Sequence, residues 1–321
     1  MSVWNGNPRF LVKPLPGRPG FLSHTFQASR KGDPRNYILK VGARDPRAQE
    51  FSQKIHAFQR EAMAYEFLQP LSHSVVPRCF ASAFTPDGSD GLLLLEEITK
   101  ARTGDQVAGL TFRDLSIAVQ SIGIVHARLW KRPRRAAGKS LPLHQYNLAH
   151  EAKSHWRCFF KEFRAWLSTA DKIRARKIPG IVSFALCLVK KRPITLVHGD
   201  LRADNLLFAK GRVFILDWQI AAWGVGAFDL ARLIGGSTRR PLGLPEQRKL
   251  VQLWHQTLKQ GGVQKYTWAE AWQDYRLGVA LTLSIPITNG PTLVQLSPRG
   301  KKIAHLMIRR FFRNGREFGL L

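Results

Sequence analysis

The stretch that decides the fold is Leu196–Gly226, LVHGDLRADNLLFAKGRVFILDWQIAAWGVG. Its first apolar run ends in His198-Gly199-Asp200, and a short polar loop then leads to Asn205. Two further apolar runs follow, separated by a turn at Lys210-Gly211, and the second of them ends at Asp217. Short apolar runs joined by a glycine turn are typical of a β-hairpin. The sequence therefore predicts that Asp200, Asn205 and Asp217 meet at one end of this hairpin.

These three side chains carry the oxygen atoms that phosphoryl transfer requires. Asp200 is placed to accept the proton of an attacking hydroxyl, and Asn205 and Asp217 are suited to hold Mg²⁺. The spacing from Asp200 to Asn205 matches the H-R-D-x-x-x-x-N loop of kinases, and Asp217 stands where the Asp of D-F-G stands. Each residue alone is more simply explained as a turn residue. The three in this order predict a site that uses ATP and Mg²⁺.

The same residues resemble a family of small-molecule kinases, the aminoglycoside phosphotransferase and choline kinase type. Protein kinases have Arg where this chain has Gly199. The run Asp217-Trp218-Gln219, followed by Gly224-x-Gly226-x-x-Asp229-Leu230-Ala231, is most similar to the branch called ecdysteroid kinase-like. The resemblance spans about residues 20–275 and is most specific over 197–231.

The resemblance implies an α+β, bilobal, protein-kinase-like fold. Residues 1–99 would form a small nucleotide-binding lobe built on an antiparallel sheet. Residues 100–321 would form a larger, mainly helical lobe that carries the catalytic and acceptor sites.

The expected nucleotide site of the small lobe begins with a glycine-containing loop. Pro16–Ser23 resembles the G-x-G-F-x-S loop of the ecdysteroid kinase-like branch, which implies that Gly20, Phe21, Leu22 and Ser23 cover the phosphates of ATP. Strand-like runs at 21–28 and 36–41 follow, and the second carries Lys40, which is expected to pair with the phosphates.

Lys40 requires a carboxylate partner, because a charge that points inward must be balanced. A helix expected over about 49–68 offers Glu61 beside its apolar stripe, with Glu50 and Glu66 as rivals on the solvated face. The run from Arg60-Glu61 to Leu68 resembles the family pattern R-E-x-x-x-Y/F-x-x-L, which implies that Glu61 is the partner. The adenine is expected to meet the main chain of the strand end at Glu96, Glu97 and Ile98.

The large lobe is expected to be mainly helical, with helices at 111–132, 149–169, 245–259, 268–283 and 299–313. His126 is expected to be a packed structural histidine rather than a base. The resemblance implies that Asp229 braces the catalytic loop by accepting backbone hydrogen bonds. It also allows aromatic residues of the 149–169 helix to touch the acceptor; these are Trp156, Phe160 and Trp166.

Arg202 follows Asp200 by two residues, where many kinases keep a cation near the transferring phosphoryl group. It would stabilise charge that develops there, and a solvent-facing loop arginine is an equally good interpretation.

The charge balance is strongly basic, with 50 Lys and Arg against 22 Asp and Glu and a net charge of +28. Such a surplus favours polyanions, anionic membranes or acidic small molecules, although a generally basic solvated surface explains it as well. No zinc-finger spacing or RNP-type motif occurs, so only non-specific nucleic-acid binding is expected.

Cysteines and apolar runs bear on the cellular location. Cys79, Cys158 and Cys187 are odd in number and widely separated, so a reducing cytoplasm is expected. No apolar run approaches the length of a membrane span, since 279–287 is short and contains Pro286. No signal-peptide run is expected at the N-terminus.

The sequence thus predicts an ATP-dependent kinase that phosphorylates a hydroxyl of a small molecule. Gln219 replaces the Gly of D-F-G and no A-P-E motif follows, which favours a small acceptor over a protein. An atypical protein kinase and a non-catalytic basic binding module remain as alternatives. A sterol, a sugar ring or an amino alcohol fits the sequence equally, the charge weakly favours an acidic acceptor, and the oligomeric state is open.

Overall fold

The computed structural model describes residues 10–15, 22–133, 135–136, 139–144 and 148–321. An N-terminal lobe built on an antiparallel sheet precedes a mainly helical C-terminal region, so the predicted fold class is confirmed. The division at residues 99 and 100 stays a prediction.

In the described part of the N-terminal lobe there are five strands and two α-helices. The strands are β1 (Phe10–Pro14), β2 (Ser23–Arg30), β3 (Asn36–Gly42), β4 (Cys79–Phe84) and β5 (Gly91–Glu96), and the helices are α1 (Pro46–Ile55) and α2 (Ala57–Leu68). The strands pair in the order β1-β2-β3-β5-β4, all antiparallel. Helix α2 packs against β4 and β5, which places its buried face beside the strand that carries Lys40.

The expectation of one helix over 49–68 is wrong, because the chain breaks at His56. This residue adopts a left-handed conformation with φ 52° and ψ 49°, and its ring Nδ1 contacts the main-chain oxygen of Asp87. A residue in this conformation ends a helix, since it cannot continue the right-handed turn. Helix α1 therefore has its own start, where the Asp45 side chain accepts from the backbone N–H groups of Arg47 and Ala48.

The C-terminal region combines short strands with ten α-helices among the described residues. The strands are β6 (Arg102–Thr103), β7 (Arg135–Ala136), β8 (Lys139–Ser140), β9 (Thr195–Val197), β10 (Leu206–Ala209), β11 (Arg212–Ile215) and β12 (Ala222–Gly224). The helices are α3 (Phe112–Arg128), α4 (Leu148–Ser154), α5 (Trp156–Phe163), α6 (Thr169–Ala175), α7 (Ile178–Val189), α8 (Ala227–Gly236), α9 (Leu244–Gln260), α10 (Trp268–Thr282), α11 (Ser284–Leu296) and α12 (Pro298–Glu317), of which α10 and α11 meet end to end.

The predicted hairpin is confirmed. Strands β10 and β11 are antiparallel, with Leu206 opposite Ile215 and Ala209 opposite Arg212. Strand β6 adds a third strand to this sheet, and β9 pairs with β12 beside it. The hairpin therefore brings Asn205, just before β10, close to the end of β11.

The helical predictions are confirmed for α3, α9, α10 and α12, and the expectation of one helix over 149–169 is wrong. Helix α4 ends at Ser154 and α5 begins at Trp156. Both the Ser154 hydroxyl and the His155 ring contact the carbonyl oxygen of Glu151, so side chains at the junction compete for a helical acceptor. Helices α6, α7 and α11 were not expected.

Helices α10 and α11 together form a 29-residue run, Trp268–Leu296, that is long and apolar enough to cross a membrane. Pro286 does not interrupt it, because it lies in the first turn of α11, where proline costs no helical hydrogen bond. Of the most apolar 18-residue stretch of this run, 67% is buried inside the protein. Helix α10 packs against α7 and α8. This burial is what a core helix shows.

Candidate active site

The His198–Asp200 turn follows β9 and requires glycine at its centre. Gly199 has φ +83°, and a Cβ there would lie 2.8 Å from the carbonyl oxygen of Ile220. Both the left-handed conformation and the close approach exclude a side chain. The backbone geometry thus explains why glycine stands where protein kinases have arginine.

His198 joins the two acidic ends of the site. Its Nε2 donates to the carbonyl oxygen of Leu216 at 2.7 Å, and its Nδ1 accepts from the backbone N–H of Asp200 at 3.2 Å. One buried ring thereby fixes the position of Asp200 relative to Asp217, the residue after Leu216.

Asp229, in the first turn of α8, braces the same turn from behind. Its carboxylate accepts from the backbone N–H of His198 at 2.7 Å and of Gly199 at 3.0 Å. It also accepts from His126 Nε2 at 3.2 Å, while His126 Nδ1 accepts from Trp254 Nε1 at 3.1 Å. Burial opposes ionisation of Asp229, but the hydrogen bond from His126 outweighs it and lowers the pKa of the carboxyl. The contacts expected of Asp229 and His126 are both present.

Lys40 on β3 links the two lobes. Its Nζ lies 2.7 and 2.9 Å from the two carboxylate oxygens of Glu61 and 2.7 Å from Asp217 Oδ1. Burial disfavours the charged amine, but the two carboxylates outweigh it and raise the pKa of Lys40. The expected partner Glu61 is fully buried, whereas its rivals Glu50 and Glu66 are exposed.

Two arginines hold Asp200. Arg232 donates from Nη2 to Asp200 Oδ1 at 2.7 Å and from Nε at 3.2 Å, and Arg202 Nε donates to Oδ2 at 3.0 Å. Burial opposes ionisation of Asp200, but Arg232 and then Arg202 outweigh it and lower the pKa of the carboxyl. Asp200 is therefore a weak base that stays ionised.

Arg202 is paired rather than free, since its side chain, which is 26% exposed, bridges two carboxylates. Besides Asp200, it binds Asp204 Oδ2 at 2.7 Å through Nη1. Arg299 of α12 binds the other oxygen of Asp204 at 2.9 Å and Asp105 at 3.2 Å. The C-terminal helix is thus tied to the catalytic loop by alternating charges.

Asn205 and Asp217 have the donor atoms that Mg²⁺ prefers. Asn205 Nδ2 donates to the main-chain oxygen of Asp200 at 2.9 Å, which orients the amide so that its oxygen remains available. Leu216 N donates to the carbonyl oxygen of Asn205 at 2.9 Å, so the two candidate ligand residues, Asn205 and Asp217, are neighbours. Asp217 is 39% exposed along its side chain and has φ +66°, a conformation uncommon for a residue other than glycine. This donor set fits a hard cation.

The expected nucleotide-contacting residues are only partly described. Gly20 and Phe21 lie outside the described residues. Leu22 is buried in an apolar cluster and uses its carbonyl to accept from Ala43 N at 3.0 Å. Ser23 is the first residue of β2 rather than a loop residue, and it is 5% exposed.

The strand end expected to meet adenine turns its acidic side chains toward protein groups. Glu96 accepts from Arg78 N at 3.1 Å and contacts His73 Nδ1 at 2.9 Å, and Glu97 accepts from Gln27 Nε2 at 2.8 Å. Glu97 and Ile98 follow β5 directly. Any contact made to adenine here would use main-chain atoms.

Several residues of the site were missed by sequence reasoning. Arg232 follows Asp229 by three residues on α8 and so projects from the same helix face, which was a usable signal. Gln106 was not predictable, because its amide joins distant segments by accepting from Ala203 N and donating to Gly236 O. Arg299 and Arg310 lie on α12, and only the fold brings them near the loop.

The aromatic residues expected near the acceptor lie on and just after α5. Trp156 stacks on Phe160 with ring centroids 6.0 Å apart, and Trp166 stacks on His305 at 4.7 Å. Trp166 is 40% exposed. A role in acceptor binding stays a prediction.

Known proteins were compared with the chain by family and by structure. The model of the phosphotransferase enzyme family (APH) matches residues 16–272, which is most of the chain. No curated protein matches the sequence significantly.

Solved structures share the fold at low sequence identity. Choline kinase LicA from Streptococcus pneumoniae is 14% identical with TM-score 0.59, covering 97% of this chain and 94% of its own. A choline kinase from Cryptosporidium parvum Iowa II is 15% identical with TM-score 0.60, covering 97% and 91%. Amicoumacin kinase hAmiN, solved with AMP-PNP, Ca²⁺ and Ami, is 11% identical with TM-score 0.58, covering 94% and 88%. From its family match and its kinase fold, the chain belongs to the phosphotransferase enzyme family.

Proposed function

We propose that this protein transfers the γ-phosphoryl group of ATP to a hydroxyl of a small molecule. The observation that carries the proposal is the contact of Lys40 with both Glu61 and Asp217. A buried lysine held between two lobes by two carboxylates is the arrangement that kinases use to position nucleotide phosphates. Retention of this contact together with Asp200 and Asn205 argues against a purely structural module.

On the nucleotide side, Lys40 would bind phosphate oxygens, and the segment from Gly20 to the start of β2 at Ser23 would cover them. The main chain at Glu96–Ile98 would receive the adenine. Asn205 and Asp217 would hold Mg²⁺, which neutralises phosphate charge when it is bound.

On the acceptor side, Asp200 would accept a hydrogen bond from the attacking hydroxyl and orient it. Because the arginines lower its basicity, it would take the proton late, once the bond to phosphorus has largely formed. Arg202 would stabilise negative charge on the transferring group, since it already faces Asp200.

The charges around Asp200 also favour one acceptor class. The carboxylates of Asp200, Asp204 and Asp105 each lie within 3.2 Å of an arginine. A cationic acceptor such as choline needs an unpaired carboxylate or an aromatic cage. We therefore propose a neutral or anionic hydroxyl compound, in contrast to the choline that names two of the structural relatives.

The experiment is transfer of labelled phosphate from ATP to a panel of alcohols, sugars, sterols and hydroxy acids, with choline and ethanolamine as cationic members. Labelled neutral or anionic product supports the proposal, and preferred labelling of choline contradicts the acceptor class. Transfer only to added proteins would establish the atypical protein kinase instead. If no phosphate is transferred and Mg·ATP does not stabilise the protein, the alternative of a non-catalytic basic binding module is favoured. We also propose that the chain belongs to the ecdysteroid kinase-like branch of the family.

A further inference from the structure

Residues 172–192 form a basic-apolar-basic segment on the surface of the C-terminal region. The segment reads KIRARKIPGIVSFALCLVKKR and contains seven Lys and Arg residues and no Asp or Glu. Its centre is α7, which packs against α4 and α10 through Ile178, Val182, Ala185 and Val189. These four residues of α7 therefore belong to the hydrophobic core.

One exposed side of α7 is apolar as well. Phe184 is 68% exposed and Leu188 is 40% exposed, and their spacing of four residues places them one above the other on the helix. Ile173 on α6 is 57% exposed. A surface helix normally presents polar residues on its outer face, so this strip lacks the usual solvated pattern.

Lysines flank the strip at both ends. Lys177 precedes α7, and Lys190 and Lys191 follow it; all three are exposed. Among the described residues none of the three has an ion-pair partner, whereas Arg174 and Arg192 pair with Asp171 and Asp274. The three lysines that border the apolar strip are therefore exposed charges with no ion-pair partner among the described residues.

We propose that this face, defined by Ile173, Lys177, Phe184, Leu188, Lys190 and Lys191, docks the protein on an anionic lipid bilayer. A bilayer interface offers acyl chains to Phe184 and Leu188 and anionic headgroups to the flanking lysines. A bilayer can receive a single convex helix without a complementary groove, which a protein partner would have to provide. The net charge of +28 draws the whole molecule toward such a surface.

The test is co-sedimentation of the full chain with vesicles of phosphatidylcholine, with and without about one-third phosphatidylserine. The first variant, Phe184→Ser, removes the most exposed side chain of the strip. Its control is Leu11→Ser on β1, which removes a side chain of the same 68% exposure in the other lobe.

The second variant is Lys190→Glu with Lys191→Glu, and its control is Arg47→Glu with Lys54→Glu, which makes the same change in net charge on α1. All four changed positions are exposed, and unchanged thermal unfolding confirms that each variant is folded.

The expected result is binding that requires phosphatidylserine and that falls about tenfold or more in both α7 variants. The controls should stay within about twofold of the wild type. An equal fall in both charge variants, or full binding by Phe184→Ser, would overturn the proposal by showing only diffuse attraction. Absence of vesicle binding would also overturn the proposal. If the protein instead associates with itself or with an acidic protein, and Phe184→Ser abolishes that association, the face is a site for a protein partner.

Discussion

Arg232 donates two hydrogen bonds to one carboxylate oxygen of Asp200 at the base of the candidate catalytic loop, from Nη2 at 2.7 Å and from Nε at 3.2 Å. The guanidinium side chain is only 4% exposed. It therefore acts on Asp200 from the protein interior, where its charge is weakly screened. Arg232 thereby holds Asp200 in its ionised form. In the proposed reaction, this carboxylate orients the attacking hydroxyl of the acceptor.

Replacement of Arg232 should change the pH profile. The lowered pKa of Asp200 keeps it ionised above about pH 4, so the wild type should show no acidic limb from Asp200 between about pH 5 and 8. In Arg232→Met the pKa rises, and the acidic limb of kcat/KM should move to higher pH. The control Arg299→Met, which loses a contact to Asp204 rather than Asp200, should leave the limb in place. An unmoved limb in Arg232→Met would contradict the assigned role.

The same contact has a consequence for stability. Because the folded-state pKa of Asp200 lies below its unfolded value, the stabilisation is present above about pH 4 and is lost as the pH falls through the folded value. Arg232→Met should lower the free energy of unfolding at neutral pH by about 1–3 kcal/mol. Denaturant unfolding at pH 7 and near pH 3 checks this, and the difference between wild type and variant should shrink at the lower pH. A difference that is the same at both values would show that lost packing, not charge, explains the effect.

Lys40→Met should weaken nucleotide binding. At about 100 times its dissociation constant, Mg·ATP should stabilise the wild type by about 2.7 kcal/mol. A tenfold loss of affinity reduces this to about 1.4 kcal/mol at the same concentration. Thermal unfolding with and without Mg·ATP measures the difference, which cancels any change in the stability of the free protein. Lys54→Met, at an exposed position on α1, is the control, and equal stabilisation of both variants would refute the role of Lys40.

Gly199→Ala should destabilise the fold by more than Gly211→Ala. Both residues have positive φ, +83° and +73°, so both alanines carry a backbone cost of about 1 kcal/mol. Only at Gly199 would the Cβ also meet a backbone oxygen, whereas nothing lies within 4 Å of the Cβ at Gly211. We expect an additional loss of about 1–3 kcal/mol at Gly199 in denaturant unfolding. An equal loss of unfolding free energy in the two variants would mean that the turn at Gly199 can move to make room for the Cβ, and it would contradict this prediction.

Local sequence patterns predicted the parts of the site that lie close together in the chain. The hairpin that carries Asn205 and ends near Asp217 follows from two apolar runs and a glycine turn. The contact between Lys40 and Glu61 was expected because a buried charge must be balanced. These rules depend on local periodicity and on charge pairing, which are visible in the sequence, and the choice of Glu61 over Glu50 and Glu66 also used the family resemblance.

Other parts depend on tertiary contacts that no local pattern shows. The break at His56 arises from a contact with Asp87, 31 residues away. The links from Arg299 and Gln106 to the catalytic loop span 95 and 97 residues. Helix α11 was missed because Pro286 and Pro291 argue against a helix, although the fold accommodates both. Sequence reasoning therefore named the candidate reacting groups, together with Glu61 and Asp229, and missed other residues that hold them, such as Arg232 and Gln106.

The most direct test of the central claim is a comparison of Asp200→Asn with the wild type in phosphate transfer and in Mg·ATP binding. The amide keeps the size of the side chain but removes its negative charge. We predict that nucleotide-induced stabilisation is retained and that turnover on the best acceptor falls by about 10²-fold or more. Turnover in Asp200→Asn equal to that of the wild type would contradict the account, as would a wild-type protein that Mg·ATP does not stabilise.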